Sequence, residues 1–115
     1  MHTKAVRQIT LANDTSAATD TGIYLPGFFD KGIKITYKID RGTTYRTGTL
    51  TISSAGEFCS FNDDYEESNG DAGVTLSAKT SDGDSTAGND TIRVQFITSN
   101  TGTDATMEYQ IQILV

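Results

Sequence analysis

KGIKITYKIDRGTTYRTGTLTIS, residues 31–53, decides the fold class of this chain. Ile33, Ile35, Tyr37 and Ile39 alternate with Lys34, Thr36, Lys38 and Asp40, the period of two that puts one face of a strand in a core and the other in water. No helical period fits that spacing. In the second half Leu50 and Ile52 are separated by threonines and small residues, and Arg41-Gly42-Thr43-Thr44 has the glycine and small polar groups of a tight hairpin connection. The stretch therefore predicts two long antiparallel strands against which the rest of the chain sets its register. It also holds five of the nine basic residues.

Outward toward the C-terminus the same period returns. Residues 57–61, EFCSF, read as a strand with either Phe58 or the Cys59/Phe61 pair inward. Val74, Leu76 and Ala78 mark another, and so do Ile92, Val94 and Phe96. Met107, Tyr109, Ile111, Ile113 and Val115 close the chain in a long clean alternation. Between these, 62–71 and 80–90 are rich in Asp, Asn, Ser and Gly and are expected as loops, the first carrying a lone Tyr65. Toward the N-terminus, 4–11 alternates weakly and suits an edge strand or an arm. Residues 12–21, ANDTSAATDT, contain no large apolar group and are expected as a surface loop. Gly22 to Leu25 is a short apolar stretch closed by the Pro26-Gly27 turn signal. Phe28 and Phe29 follow, and neighbours on a strand cannot share a face. One is expected in the core and the other over a sheet edge or in an intersubunit contact.

Eight strand segments and no helical one predict an all-β chain, a single β-sandwich of about eight antiparallel strands, jelly-roll or immunoglobulin-like. At 115 residues one domain spanning 1–115 is expected, with 1–12 available as an N-terminal arm. Cys59 is the only cysteine, so no intramolecular disulfide forms and its expected role is that of a small hydrophobe.

Charge and motifs bound the chemistry. The net charge is −6, which disfavours nucleic acid, whose phosphates need a basic surface. No apolar run reaches membrane-spanning length, and the first residues lack the apolar stretch of a secretory signal. Cytoplasmic synthesis and no membrane partner are expected. From Thr47 to Ala78 there is no Lys or Arg, while Glu57, Asp63, Asp64, Glu66, Glu67 and Asp71 all fall there. A basic region beside an acidic one makes contacts between copies electrostatically reasonable. The acidic clusters do not fit the twelve-residue calcium loop. The paired carboxylates lack the aromatic platform of a saccharide-cleaving cleft; the only histidine, His2, stands at the N-terminus, and Cys59, in an expected strand, has no evident base. No cofactor, no metal and no catalytic residue are expected. The residues expected to touch partners are the pair Phe28 and Phe29, the turn residues Arg41, Tyr45 and Arg46, and Tyr65.

The strings ITYKIDRGTTYRTGTLTI, NDDYEE, GVTLSA and TSNTGTDATMEYQI together resemble a small β-module of tailed-bacteriophage virion structural proteins, found in tail fibres, other appendages and stand-alone particle proteins. The resemblance spans about Gly32 to Leu114. RGTTYRTGTL at 41–50 and TGTDAT at 101–106 are its most specific pieces. It implies a non-enzymatic, oligomeric particle component located in the virion. Because only some thirty residues precede the module, without a shaft, it points to a capsid decoration or cement subunit that contacts the major capsid protein. The alternative is a tail-fibre or tail-tip appendage that binds a host-surface glycan.

Overall fold

The computed structural model describes residues 6–26, 31–55, 58–80 and 91–114, with Pro26, Lys31, Ala55, Phe58 and Leu114 by their backbone alone. The strands are β1 (Arg7–Leu11), β2 (Thr15–Pro26), β3 (Lys31–Arg41), β4 (Thr44–Ala55), β5 (Phe58–Ser68), β6 (Val74–Thr80), β7 (Thr91–Thr98) and β8 (Ala105–Leu114). They form two antiparallel sheets, one of five strands in the order β1-β8-β3-β4-β5 and one of three in the order β2-β7-β6. The all-β sandwich of eight strands is as the alternation predicts. β1 beside β8, β2 beside β7 and β4 beside β5 are nested pairs of the kind a jelly roll makes when a long hairpin rolls up. β3 and β6 lie in different sheets, so the nesting is incomplete.

The hairpin of residues 31–53 is the centre of the larger sheet. β3 pairs with β4 in unbroken register from Lys31 opposite Ser54 to Arg41 opposite Thr44, and β8 pairs along its other side. The two-residue loop has glycine first, with Gly42 at φ 62°, the turn whose twist matches that of the strands it joins. Ile33, Ile35, Ile39, Leu50, Ile52 and Met107 from this sheet meet Leu76, Ile92, Val94 and Phe96 from the other, and all are buried. The core is thus the set of inward positions that the period of two marks on each strand.

Two segments expected as loops are strands. Thr15 to Asp20 belongs to β2, an edge strand interrupted by register shifts between Thr15 and Thr19 and between Asp20 and Tyr24. Hydroxyls take the place of apolar packing there. Thr15 N donates to Thr98 Oγ1 at 3.1 Å, Thr98 N donates to Thr15 Oγ1 at 2.8 Å, and the Thr21 hydroxyl donates to Val94 O at 2.7 Å. Asn62 to Ser68 is the second half of β5. Its acidic residues alternate across the sheet, with Asp63 and Glu67 on the core face and Asp64 and Glu66 on the outer one. Arg7 to Leu11, within the segment considered as an arm, is the edge strand beside β8 in the same chain.

Three strands do not cover five. Phe61 and Tyr65 sit opposite Ile52 and Gly48, on the core face of the outermost strand β5, yet remain 46% and 43% exposed. Cys59, on that face opposite Ser54, is half-buried against the core. Burial pushes its thiol pKa up.

Candidate functional site

The contact residues expected from sequence separate into interior and surface groups. Arg41 and Arg46 are interior, 4% and 1% exposed, which corrects the expectation that they present charge to a partner from a turn. Tyr45 and Tyr65 are half-exposed. Phe28 and Phe29, and the stretch 81–90, lie outside the described residues.

Arg41 ends β3 and reaches into the loop end of the sandwich. Its Nε donates to Thr103 O at 2.9 Å, and Nη1 donates to Ala72 O at 2.8 Å and Gly73 O at 3.2 Å. Nη2 donates to Asn13 Oδ1 at 2.7 Å and Ser99 O at 2.6 Å. One guanidinium therefore joins the β1–β2, β5–β6 and β7–β8 connections. Its five acceptors are neutral, so the charge is stabilised by oriented dipoles instead of by a carboxylate. Asn13 extends the clasp, since its Oδ1 also accepts from Thr101 N at 2.9 Å and its own N donates to Asp104 Oδ1 at 2.9 Å. The loops close tightly around it. A Cβ on Gly73, whose φ is +68°, would fall on the Ser99 hydroxyl and 3.1 Å from Arg41 Nη1.

Arg46, on β4, is the second buried cation. Its Nε and Nη2 donate to Glu67 Oε2 at 3.1 and 2.9 Å. Its guanidinium carbon lies 3.9 Å from the centre of the Tyr65 ring, a stacked cation–π arrangement. Glu67 Oε2 accepts in turn from Ala72 N at 2.8 Å, which ties this group to the loop that Arg41 holds. Beside it the Tyr37 hydroxyl donates to Asp63 Oδ1 at 2.6 Å, and Asp63 Oδ2 is 3.9 Å from Arg46 Nη1. To reach across from β3 to β5 the Tyr37 ring must pass over β4, and Gly48 is its cross-strand partner there. A Cβ at Gly48 would lie 2.8 Å from the Tyr37 hydroxyl, 2.7 Å from Tyr65 Cβ and 2.8 Å from Asp64 O. Only glycine leaves that path open.

These contacts set the local proton affinities. Burial drives the Tyr37 phenol far above its usual value, with the Asp63 carboxylate adding to the effect. Burial also raises Asp63, outweighing its hydrogen bond from Tyr37 and the Arg46 charge. For Arg46 burial works against the charge, but Glu67 and Tyr37 together more than offset it and the pKa lies above its ordinary value.

A third polar group lies on the outer face of the smaller sheet. Asp20 Oδ1 accepts from Gln95 Nε2 at 2.7 Å and Asp20 Oδ2 from Arg93 Nη1 at 2.8 Å. The Tyr24 hydroxyl donates to Asp20 Oδ2 at 3.4 Å, and the Arg93 guanidinium sits 5.2 Å from the centre of the Tyr24 ring. The hydrogen bond from Gln95, reinforced by Arg93 and Tyr24 and only partly opposed by burial, lowers the Asp20 pKa. This group bridges the two sides of the second irregularity of β2, a position that composition alone did not single out.

The outer face of the larger sheet is polar. A shallow recess of about 450 Å³ crosses it, bordered by Thr36, Thr47, Thr49, Asp64 and Glu66. Tyr45 flanks it, opposite Asp40, with Lys38 Nζ 5.8 Å from its ring centre. Lys38 also pairs with Asp40 at 3.5 Å, an exposed contact of little energetic weight. Among the described residues no group of three or more His, Cys, Asp or Glu is placed to hold a metal ion, and no helix is long and apolar enough to cross a membrane. Comparison with protein-family models, with curated proteins and with solved structures finds no match to this chain.

Proposed function

We propose that the chain is a non-enzymatic structural protein of a tailed-phage virion, a capsid decoration subunit that stabilises the head through contacts with the major capsid protein. The observation that carries this reading is where the resembling strings fall. RGTTYRTGTL supplies Arg41, Arg46 and the Gly48 gap, NDDYEE supplies Asp63, Tyr65 and Glu67, and TGTDAT supplies the Thr103 carbonyl that Arg41 binds. The residues that carry the resemblance are those that tie strands and loops together. That is the expected content of a module used for its shape, with partner contacts left to exposed side chains such as Tyr45.

A second reading, a tail-fibre or tail-tip appendage that binds a host-surface glycan, is favoured by one observation. Tyr24 is half-exposed beside Asp20, Gln95 and Arg93, an aromatic ring among polar groups of the kind sugars stack and hydrogen-bond on.

The experiment is to purify virions, separate heads from tails and quantify the chain in each by mass spectrometry. Hundreds of copies on heads are expected. A few copies confined to tails would transfer the proposal to the appendage reading, and absence from both fractions would end the virion reading.

A further inference from the structure

We propose that Asn69 is a latent modification site, an amide that converts spontaneously to aspartate or isoaspartate once the turn holding it opens. Asn69-Gly70 is the only Asn-Gly pair in the chain, and both residues are exposed just past the end of β5. Glycine in the second position leaves its backbone nitrogen unshielded, so that it can approach the asparagine side chain closely. The step is an intramolecular substitution. Gly70 N attacks Asn69 Cγ, the new C–N bond closes a succinimide ring, and the side-chain amide leaves as ammonia, taking up the proton from Gly70 N. Water then opens the ring at either carbonyl, giving aspartate or, with the main chain rerouted through Cγ, isoaspartate.

The folded chain opposes that closure at two points. Asn69 Nδ2 donates to Thr43 O and to Thr43 Oγ1, both at 3.0 Å, which holds the side chain against the β3–β4 turn. The Thr44 hydroxyl donates to Asn69 O at 3.0 Å, which holds the main chain. Ring closure needs rotation about the Cα–Cβ and Cα–C bonds of Asn69, and these contacts resist both. Asn69 and Gly70 have φ of 66° and 103°, a left-handed turn that asparagine and glycine tolerate and that the contacts with Thr43 and Thr44 keep in place. All of these bonds are exposed, and exposed bonds at a loop open locally without unfolding of the core.

Conversion changes what the turn can hold. A carboxylate at position 69 has no donor for Thr43 O, and it adds negative charge between Glu67 and Asp71 in the sequence. Asn69 leads into the loop whose Ala72 and Gly73 carbonyls accept from Arg41 and whose Ala72 N donates to Glu67 Oε2. Hydrolysis does not return the amide, so a chain whose turn has opened and reacted keeps a loosened β5–β6 connection. The chemistry is independent of whether the chain resides in heads or tails.

The test incubates the full chain at mildly alkaline pH, folded in buffer and unfolded in guanidinium chloride, and follows residue 69 by peptide mass spectrometry. Conversion in the unfolded chain is expected to be at least about tenfold faster than in the folded one. A Thr43→Ala, Thr44→Val variant, checked for folding by circular dichroism, loses both hydroxyl contacts and is expected to convert several-fold faster than the wild type while folded. Ile52→Val weakens the core away from this turn and is expected to convert at the wild-type rate. Modified protein isolated by ion exchange is expected to melt below the unmodified protein and to lose exchange protection at Ser99 N, whose bond to Gly73 O closes the same loop end. A folded wild type that converts as fast as the unfolded chain would overturn the proposal. So would a folded double variant that matches the wild type, or an Ile52→Val variant that converts as fast as the unfolded chain. Modified protein that melts with the unmodified protein would overturn the consequence drawn for the loop end.

Discussion

Replacing Arg41 by methionine keeps the aliphatic stem and removes the guanidinium that donates to Ala72 O, Gly73 O, Ser99 O, Thr103 O and Asn13 Oδ1, of which Gly73 O and Asn13 Oδ1 keep a backbone N–H donor. A net value of about 1.5–3 kcal/mol for each charge-assisted bond would overstate the loss if simply added, because the bonds share one group and the loops can relax toward water. A buried acceptor left without a partner costs about 1–3 kcal/mol, and with only some of the five left dry we take about 4 kcal/mol in total. For a chain of this length that lowers Tm by about 15 °C. Arg41→Lys keeps the charge, but one ammonium with three donors cannot span acceptors arranged around a planar fork. It is expected to recover less than half of the loss. Thermal and urea unfolding followed by circular dichroism measure both variants. Amide hydrogen exchange at Ser99, whose N donates to Gly73 O at 2.9 Å, reports on the loop end directly and is expected to accelerate more than exchange in the central hairpin. A methionine variant that melts within about 3 °C of the wild type would refute the argument that this one side chain organises the loops.

Gly48→Ala should cost about 2–3 kcal/mol by chemical denaturation, because its Cβ displaces the Tyr37 ring and breaks the bond to Asp63; a Gly48→Ala, Tyr37→Leu double variant should cost less than the two single changes added together. In an NMR titration of carboxyl carbons, Asp63 is expected to titrate above the ordinary aspartate value and Asp20 below it, and the reverse order would contradict the assigned networks. The consequences for stability have opposite sign. The raised Asp63 contributes stability below its ordinary pKa and loses it as pH rises through its folded value, while the lowered Asp20 contributes above its ordinary pKa and loses that as pH falls through its folded value. Asp63→Asn, which keeps an acceptor for the Tyr37 hydroxyl, is accordingly expected to change stability at pH 7 by less than about 1 kcal/mol, whereas Glu67→Ala, which strips Arg46 of its hydrogen-bonded partner, should cost about 3 kcal/mol in the same assay.

Local pattern was enough for the fold class, the central hairpin and most of the core. Ile33 to Ile39 and Met107 to Ile113 alternate because side chains on a strand alternate, and they do so whichever sheet the strand joins. The same rule applied to Asp63, Tyr65 and Glu67 would have marked a strand face, but the charge of the stretch masks its period. The polar half of β2 carries no apolar alternation; its pairing rests on threonine hydroxyls that meet β7, more than seventy residues away. Sequence also offered no means of telling an interior arginine from a surface one. Arg41 is buried because Asn13, Ala72, Gly73, Ser99 and Thr103 converge on it, and those acceptors are mostly backbone carbonyls with no residue-type signature. Arg46 is buried because Glu67 and the Tyr65 ring lie across the β4–β5 pair, and the place of Gly48 is intelligible only once Tyr37 is opposite it. Alternation is a property of one strand and is written in the residues themselves. Which polar groups are satisfied inside, and which edges are left open, depends on distant segments meeting, and that is decided by tertiary structure alone.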